Sequence, residues 1–382
     1  MKLVLEIVLL ASAGVVYSAD DCKRDMEVVC YYGSWSIYRN DIGLFTTEDI
    51  DPSLCTNIIY TFAGLGLDSK IGSLDPWADV EKRGFANLTG FKEQYPCLRT
   101  TLAIGGWNEG SIKYSVMAYT EESRKAFADS VLRFLVYYGF DGLDLDWEYP
   151  TSRGGLPDDG KNFAALLKTV KETIAPWGLT LTTAVPIDVS LLNTAYDAKV
   201  MAEVVDYVHL MAYDYVPSTS NVTGLSAPLS AIKVTVGNWI AAGLPANKLV
   251  LGVPSYGRNY VLKDSEDHDV GDPVLKAGEP GLYTAEEGFL AYYEVMEILS
   301  DPFLGMRSVH VDDTNYAYGN EEWITYETET SVRTKAQYAV DQKLGGMMIW
   351  SIDTEDFLGL YGTKFPLLNA IHEVLKQNKL KV

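Results

Sequence analysis

Eight short apolar runs rich in β-branched and aromatic residues punctuate the chain, at 28–32, 57–63, 101–104, 142–146, 179–185, 207–211, 249–253 and 346–350. Stretches between them, including 121–138, 160–174, 227–242 and 365–377, place apolar residues at helical spacing. Runs of strand length bounded by polar and turn residues read as buried strands, and the longer amphipathic segments as helices. Strands alternating with helices build parallel βαβ units, and eight repeats over this length predict an α/β fold, a closed (β/α)8 TIM barrel. A doubly wound sheet is the alternative. The rhythm breaks once, at 256–325, where strand-like pieces (260–264, 308–312, 323–326) surround a helical pattern at 286–299. An interval of about seventy residues is too long for a βα loop, so it predicts an inserted α+β domain between strands 7 and 8. The barrel is then split into 20–255 and 326–382, and the helix 331–343 leads back into it. No Pro/Thr/Ser-rich linker, internal repeat or Cys-rich tail is seen, so no separate carbohydrate-binding module is expected.

The fourth run carries the chemistry. It reads Asp141-Gly-Leu-Asp144-Leu-Asp146-Trp-Glu148-Tyr-Pro150. Successive strand side chains point to opposite faces, so Asp144, Asp146 and Glu148 share one face and Leu143, Leu145 and Trp147 the other. Asp141 has the wrong parity for the acidic face and reads as structural. Three crowded, buried carboxylates favour a shared proton and at least one raised pKa, which is what a general acid needs. A solvated acidic edge would not carry an apolar opposite face. A single metal ion is excluded by reach, since same-face neighbours lie roughly 6.6 Å apart and the outer pair roughly 13 Å apart. The four histidines, at 209, 268, 310 and 372, form no HxH or HxxxH pattern, and no metal or other cofactor is expected.

Composition narrows the partners. A net charge of -21 argues against nucleic acid and anionic membrane surfaces, leaving a neutral or cationic substrate. The apolar run 3–16, preceded by Lys2 and followed by Ser18 and Ala19, reads as a signal peptide over 1–19. No other stretch is long and apolar enough to span a bilayer. Sequons at Asn87-Leu-Thr89 and Asn221-Val-Thr223 agree with a secreted, extracellular glycoprotein. Cys30 lies in one strand and Cys55 just before the next, and they are expected to pair. A second bridge between Cys22 and Cys97, both before strands at one end of a parallel sheet, is geometrically possible, with two buried thiols as the alternative. Nothing in the sequence calls for an oligomer, so a monomer is expected.

The acidic signature, with Gly105-Gly106-Trp107-Asn108, Met211-Ala212-Tyr213-Asp214, Tyr256-Gly257-Arg258 and 346–350, resembles the family 18 glycoside hydrolases, in particular secreted chitinases of arthropods and vertebrates. The resemblance covers essentially the whole chain after the leader. It implies cleavage of β-1,4 links between N-acetylglucosamine units by a retaining, substrate-assisted mechanism, an exception to the two-carboxylate scheme. Glu148 would protonate the glycosidic oxygen and the sugar's own acetamido carbonyl would attack the anomeric carbon. Asp146 would hold the acetamido N-H, Asp144 would share a proton or hydrogen bond with Asp146, and Tyr213 would steady the attacking carbonyl. Asp214 and Arg258 would fix nearby sugar groups. Tyr31, Phe62, Met211 and Tyr256 would line the pocket.

Trp35, Trp107 and Trp350 each end a barrel strand on the side where such barrels place their sites, and together predict an aromatic cleft. Trp350 would floor the cleavage subsite, with Trp35 and Trp107 continuing toward the non-reducing end. The chain departs from the family after Asp214. Tyr215-Val216-Pro217-Ser218-Thr219 stands where many members carry an aromatic residue, His-Gly and a Trp, so a platform on the leaving-group side is expected to be missing, with Tyr215 as its first candidate replacement. A second disulfide frequent in the family is also absent, with Met296 and Tyr361 nearby instead. Two other readings accompany the chitinase: a chitinase-like lectin or growth-factor-like protein without turnover, and hydrolysis directed at the chitobiose core of N-glycans.

Overall fold

A computed structural model describes residues 22–192 and 194–382. The expected leader lies outside the described residues. Fifteen strands are described: β1 (Glu27–Gly33), β2 (Asn57–Leu65), β3 (Ile71–Ser73), β4 (Arg99–Gly105), β5 (Gly142–Asp146), β6 (Thr180–Val185), β7 (Tyr207–Leu210), β8 (Leu249–Pro254), β9 (Tyr256–Leu262), β10 (Val274–Ala277), β11 (Leu290–Ala291), β12 (Arg307–Val311), β13 (Thr314–Gly319), β14 (Glu322–Tyr326) and β15 (Gly346–Trp350). Eight of them form the parallel sheet β1-β15-β8-β7-β6-β5-β4-β2, which closes on itself through β1 and β2. This is the expected (β/α)8 barrel. The short β3 folds back antiparallel on β2.

The described α-helices are α1 (Gly84–Gly90), α2 (Ile112–Tyr119), α3 (Glu121–Tyr138), α4 (Asp159–Ile174), α5 (Ala198–Val204), α6 (Leu229–Ala241), α7 (Tyr292–Ser300), α8 (Glu329–Asp341) and α9 (Pro366–Gln377), with short 3-10 turns between elements. Local chemistry sets their ends. Thr120 accepts from Ser123 N at the start of α3 and Gly139, at φ 78, closes it, so its limits match the sequence reading.

Between β8 and β15 the chain forms the antiparallel sheet β10-β9-β14-β13-β12, with β11 pairing on β9 and α7 alongside. Here one expectation fails. The helix expected at 286–299 starts only at Tyr292, because Gly288 takes a positive φ of 71 and Leu290 and Ala291 pair with Gly257 and Tyr256. Glu294 then caps the true start by accepting from Ala291 N.

Both disulfides form, Cys30–Cys55 and Cys22–Cys97. Met296 and Tyr361, where the family's further bridge would lie, pack as apolar side chains against the main core. No described helix is long and apolar enough to cross a membrane.

Candidate active site

The strand register decides where the carboxylates go. β5 lies between β4 and β6, with Asp144 opposite Ala103 and Thr182, and Asp146 opposite Gly105. The inward column Asp144, Asp146 and Glu148 is 0%, 3% and 8% exposed. Close approach at its top depends on Gly105, whose φ is +117 and whose missing Cβ would lie 2.0 Å from the Asp146 carbonyl oxygen. Gly106 follows at φ +83, donates its N-H to that carbonyl at 2.8 Å, and leaves room for the Phe62 ring.

The three carboxylates meet different environments. Asp144 accepts from Tyr31 Oη at 2.7 Å and from Thr182 Oγ1 at 2.5 Å, and His209 Nδ1 lies 3.2 Å from its Oδ1. His209 Nδ1 also meets Tyr31 Oη at 2.7 Å. Asp146 is the opposite case: its Oδ1 is buried without a hydrogen-bond partner. Burial, then the charges of Glu148 and Asp144, push the Asp146 carboxyl well above the ordinary aspartate range. Burial also raises Glu148, to about 7; a hydrogen bond from Tyr149 and the Arg153 cation pull it down and Asp214 adds to the rise. With the Asp146 carboxyl raised by burial and its carboxylate neighbours, and Glu148 pushed up to about 7, the column favours holding a proton that it can donate.

β5 ends at Asp146, so the sheet ladder does not hold Glu148. Its supports come from the loop beyond. Trp147 Nε1 donates to Ser111 Oγ at 2.9 Å, Ser111 Oγ donates to the Tyr149 carbonyl at 2.8 Å, and Arg153 Nη1 donates to the Glu148 carbonyl at 3.0 Å. Asp141 faces away from the column as expected, accepting from Thr100 N and from Lys92.

Aromatic side chains gather at the strand ends around the column. The Trp350 ring lies 5.4 Å from Tyr31, 5.9 Å from Phe62 and 6.2 Å from Trp35, and Trp35 stacks on Phe62 at 6.1 Å. Trp35 is 42% exposed and Trp107 is 59% exposed. Trp107 stands apart from that cluster and carries the Arg153 guanidinium on one face at 3.5 Å. Asn108 is exposed beside it, and Met211 is half-buried against the core.

On the opposite side, Tyr213 meets Tyr256 edge-on at 6.0 Å, and Tyr256 stacks on Phe289 of the inserted lobe at 4.7 Å. Arg258 grips Asp214 with two hydrogen bonds of 2.8 and 2.7 Å. Tyr215 is not the replacement platform. Its hydroxyl pairs with Thr235 Oγ1 of α6 at 2.8 Å and its ring packs on the barrel core. The loop 216–219 is instead tied to the lobe, with Tyr260 Oη donating to the carbonyls of Val216 and Pro217 and Ser218 packed against Gly288.

With this geometry in hand, the comparisons with known proteins are direct. The profile of Glycosyl hydrolases family 18 matches residues 27–355. The chain belongs to glycosyl hydrolase family 18. Among family 18 relatives, probable chitinase 2 of Drosophila melanogaster is 39% identical over 380 residues, covering 92% of this chain and 78% of that protein. Chitotriosidase-1 of Mus musculus is 35% identical over 370 residues, covering 91% of this chain and 78% of its own length. The crystal structure of the Group IV chitinase of Ostrinia furnacalis in complex with allosamidin superposes with a TM-score of 0.90 at 39% identity, covering 92% of this chain and 99% of that one.

Sequence reasoning missed His209, Thr182, Arg153 and Phe289 at this family 18 site. Strand parity held the signal for His209, which shares the inward face of its strand with Met211. Phe289 carried none, because nothing local says that a residue of the insertion reaches the barrel mouth.

Proposed function

We propose that the protein is a secreted chitinase that hydrolyses β-1,4 links of chitin or chitooligosaccharides with Glu148 as general acid and base. The observation that carries this reading is the buried column in which Glu148, pushed up to about 7, stands beside an Asp146 whose Oδ1 has no hydrogen-bond partner among the described residues. Glu148 gives its proton to the glycosidic oxygen as the bond to the leaving sugar breaks. The acetamido carbonyl oxygen of the sugar on Trp350 bonds to the anomeric carbon, with Tyr213 steadying it, and forms an oxazolinium ion. Asp146, with its free oxygen, accepts the acetamido N-H, while Asp144 stays fixed by Tyr31 and Thr182. Water, deprotonated by Glu148, opens the ring with net retention.

Trp35, Trp107 and Asn108 extend the groove on one side, and Tyr256, Asp214 and Arg258 bound it on the other. The leader 1–19 directs secretion, and the barrel portions 20–255 and 326–382 enclose the lobe 256–325. Asn221 is exposed and suits a glycan; Asn87 is half-buried in α1 and donates to Thr47 Oγ1 at 3.4 Å. Incubation with fluorogenic chitooligosaccharides and with fully deacetylated chitosan tests the mechanism. Acetylated substrate should be cleaved and chitosan should not, since it lacks the internal nucleophile. A covalent sugar adduct on Asp146 or Asp144, or a Glu148→Gln variant with near-normal turnover, would overturn it.

A further inference from the structure

The segment 149–156, immediately after the acid, is unusually constrained. Thr151, Arg153 and Gly154 all take positive φ, at 68, 51 and 88. Two of them are not glycine, and such backbone persists only where surrounding contacts over-determine it. The contacts are present: the buried Asp159 accepts from Leu156 N at 2.6 Å, from Thr151 N at 3.3 Å and from Ser115 Oγ at 2.7 Å. What this loop presents is the Arg153 side chain. Its Nη1 reaches the Glu148 carbonyl and its guanidinium plane lies 3.5 Å from the Trp107 ring centroid.

We propose that Arg153 is a positioning residue that clips the peptide of Glu148 to the Trp107 ring, so that a sugar stacked on the open face of Trp107 fixes the acid for attack several units away. This rests on the chitinase reading above. The argument is mechanical. Glu148 lies beyond the end of β5, and Arg153 provides its side-chain hold on that carbonyl. Trp107 is more than half exposed with one face already covered, which leaves the other for a ligand. A ring pinned between a sugar and a guanidinium loses freedom, and the guanidinium in turn holds the carbonyl. Binding far from the bond is thereby spent on orientation at the bond.

Arg153 should therefore act more strongly on turnover of long substrates than of short ones. Fluorogenic di- and tetra-N-acetylchitooligosaccharides, assayed with wild type, Arg153→Ala, Arg153→Lys, Trp107→Ala and the Arg153→Ala/Trp107→Ala double variant, test it. With Arg153→Ala, kcat on the tetramer should fall roughly tenfold or more, since a small misplacement of a reacting group costs up to about 10²-fold. KM should change less, and the preference for tetramer over dimer should shrink to the level of Trp107→Ala. The double variant should add nothing further to that loss of preference.

A second readout is the basic limb of the pH profile. Glu148 feels Asp146, Asp214, Tyr149, Tyr196 and Tyr213 as well as Arg153, and of these Arg153 supplies the cation that favours its ionised form. Removing it should move the limb to higher pH. Arg153→Lys keeps the charge and loses the planar stack, so its limb should stay in place while its tetramer preference falls. Equal losses on dimer and tetramer, or an unmoved limb in Arg153→Ala, would overturn the clip while leaving the chitinase reading standing. A wild type that turns over neither substrate would instead overturn the chitinase reading, and the clip with it.

Discussion

Glu327 and Asp146 are buried to nearly the same degree, at 1% and 3% exposure, and have opposite surroundings. Glu327 receives Lys335 Nζ on both oxygens at 2.6 Å, Thr314 Oγ1 at 2.9 Å and Ser331 Oγ at 2.6 Å, which ties β14 to α8. Asp146 faces two other carboxylates and leaves one oxygen empty. One acid is answered by a cation and hydrogen-bond donors, and the other is pushed above the ordinary aspartate range by burial and its carboxylate neighbours. Burial alone therefore does not mark a catalytic group; burial with unanswered charge does.

The sharpest break in that comparison is Glu148→Gln. Loss of a positioned general acid should lower turnover of a fluorogenic oligosaccharide by about 10²-fold to 10⁴-fold, with oligosaccharide binding by calorimetry retained. Glu327→Ala should do the reverse: activity per folded molecule should persist while the fold loses about 3 to 5 kcal/mol in urea titration, because Lys335 is left buried without its counter-ion.

The pH dependence sharpens the contrast. A carboxyl whose ordinary pKa of 4.5 is raised to about 7 on folding binds a proton that the unfolded chain has already released. Stability contributed at low pH is thus lost as pH rises between those values. Glu148→Gln should melt above wild type near about pH 8 and level with it near about pH 4. Activity should fall as pH rises through about 7, as the acid loses its proton.

Tyr31→Phe tests the paired end of the column. It removes a hydrogen bond to Asp144 worth about 1.5 to 3 kcal/mol, and should cut kcat roughly tenfold with KM little changed. The smallest effect belongs to the loop 216–219. Thr219→Trp should strengthen leaving-group binding by about 1 kcal/mol and raise the yield of longer transglycosylation products. Ser218→Trp should fail to do so, because Ser218 already packs against Gly288. Matching product profiles from wild type and Thr219→Trp would show that Phe289, stacked on Tyr256, already serves that side.

Much was legible in the sequence because its signals are local. Period-two alternation placed Asp144, Asp146 and Glu148 on one face, and apolar runs at regular spacing gave the eight barrel strands, two of them, β5 and β15, with the limits now seen. Capping residues set α3. The failures were equally local in cause: the pattern at 286–299 has helical spacing, yet pairing of Leu290 and Ala291 with β9 outweighs propensity there. Tyr215 kept its aromatic identity and lost the expected role because its hydroxyl found Thr235 on α6.

The sequence by itself determined the barrel, the interruption between its seventh and eighth strands, and the column of acids, since strand parity and hydrophobic period are properties of neighbours along the chain. Only the tertiary structure decided which acid is satisfied and which is not. Tyr31, Thr182 and His209 come from three other strands to engage Asp144, and among the described residues none hydrogen-bonds Oδ1 of Asp146. Partnering depends on distances between residues far apart in sequence, and in a low-dielectric interior those distances set where the protons sit.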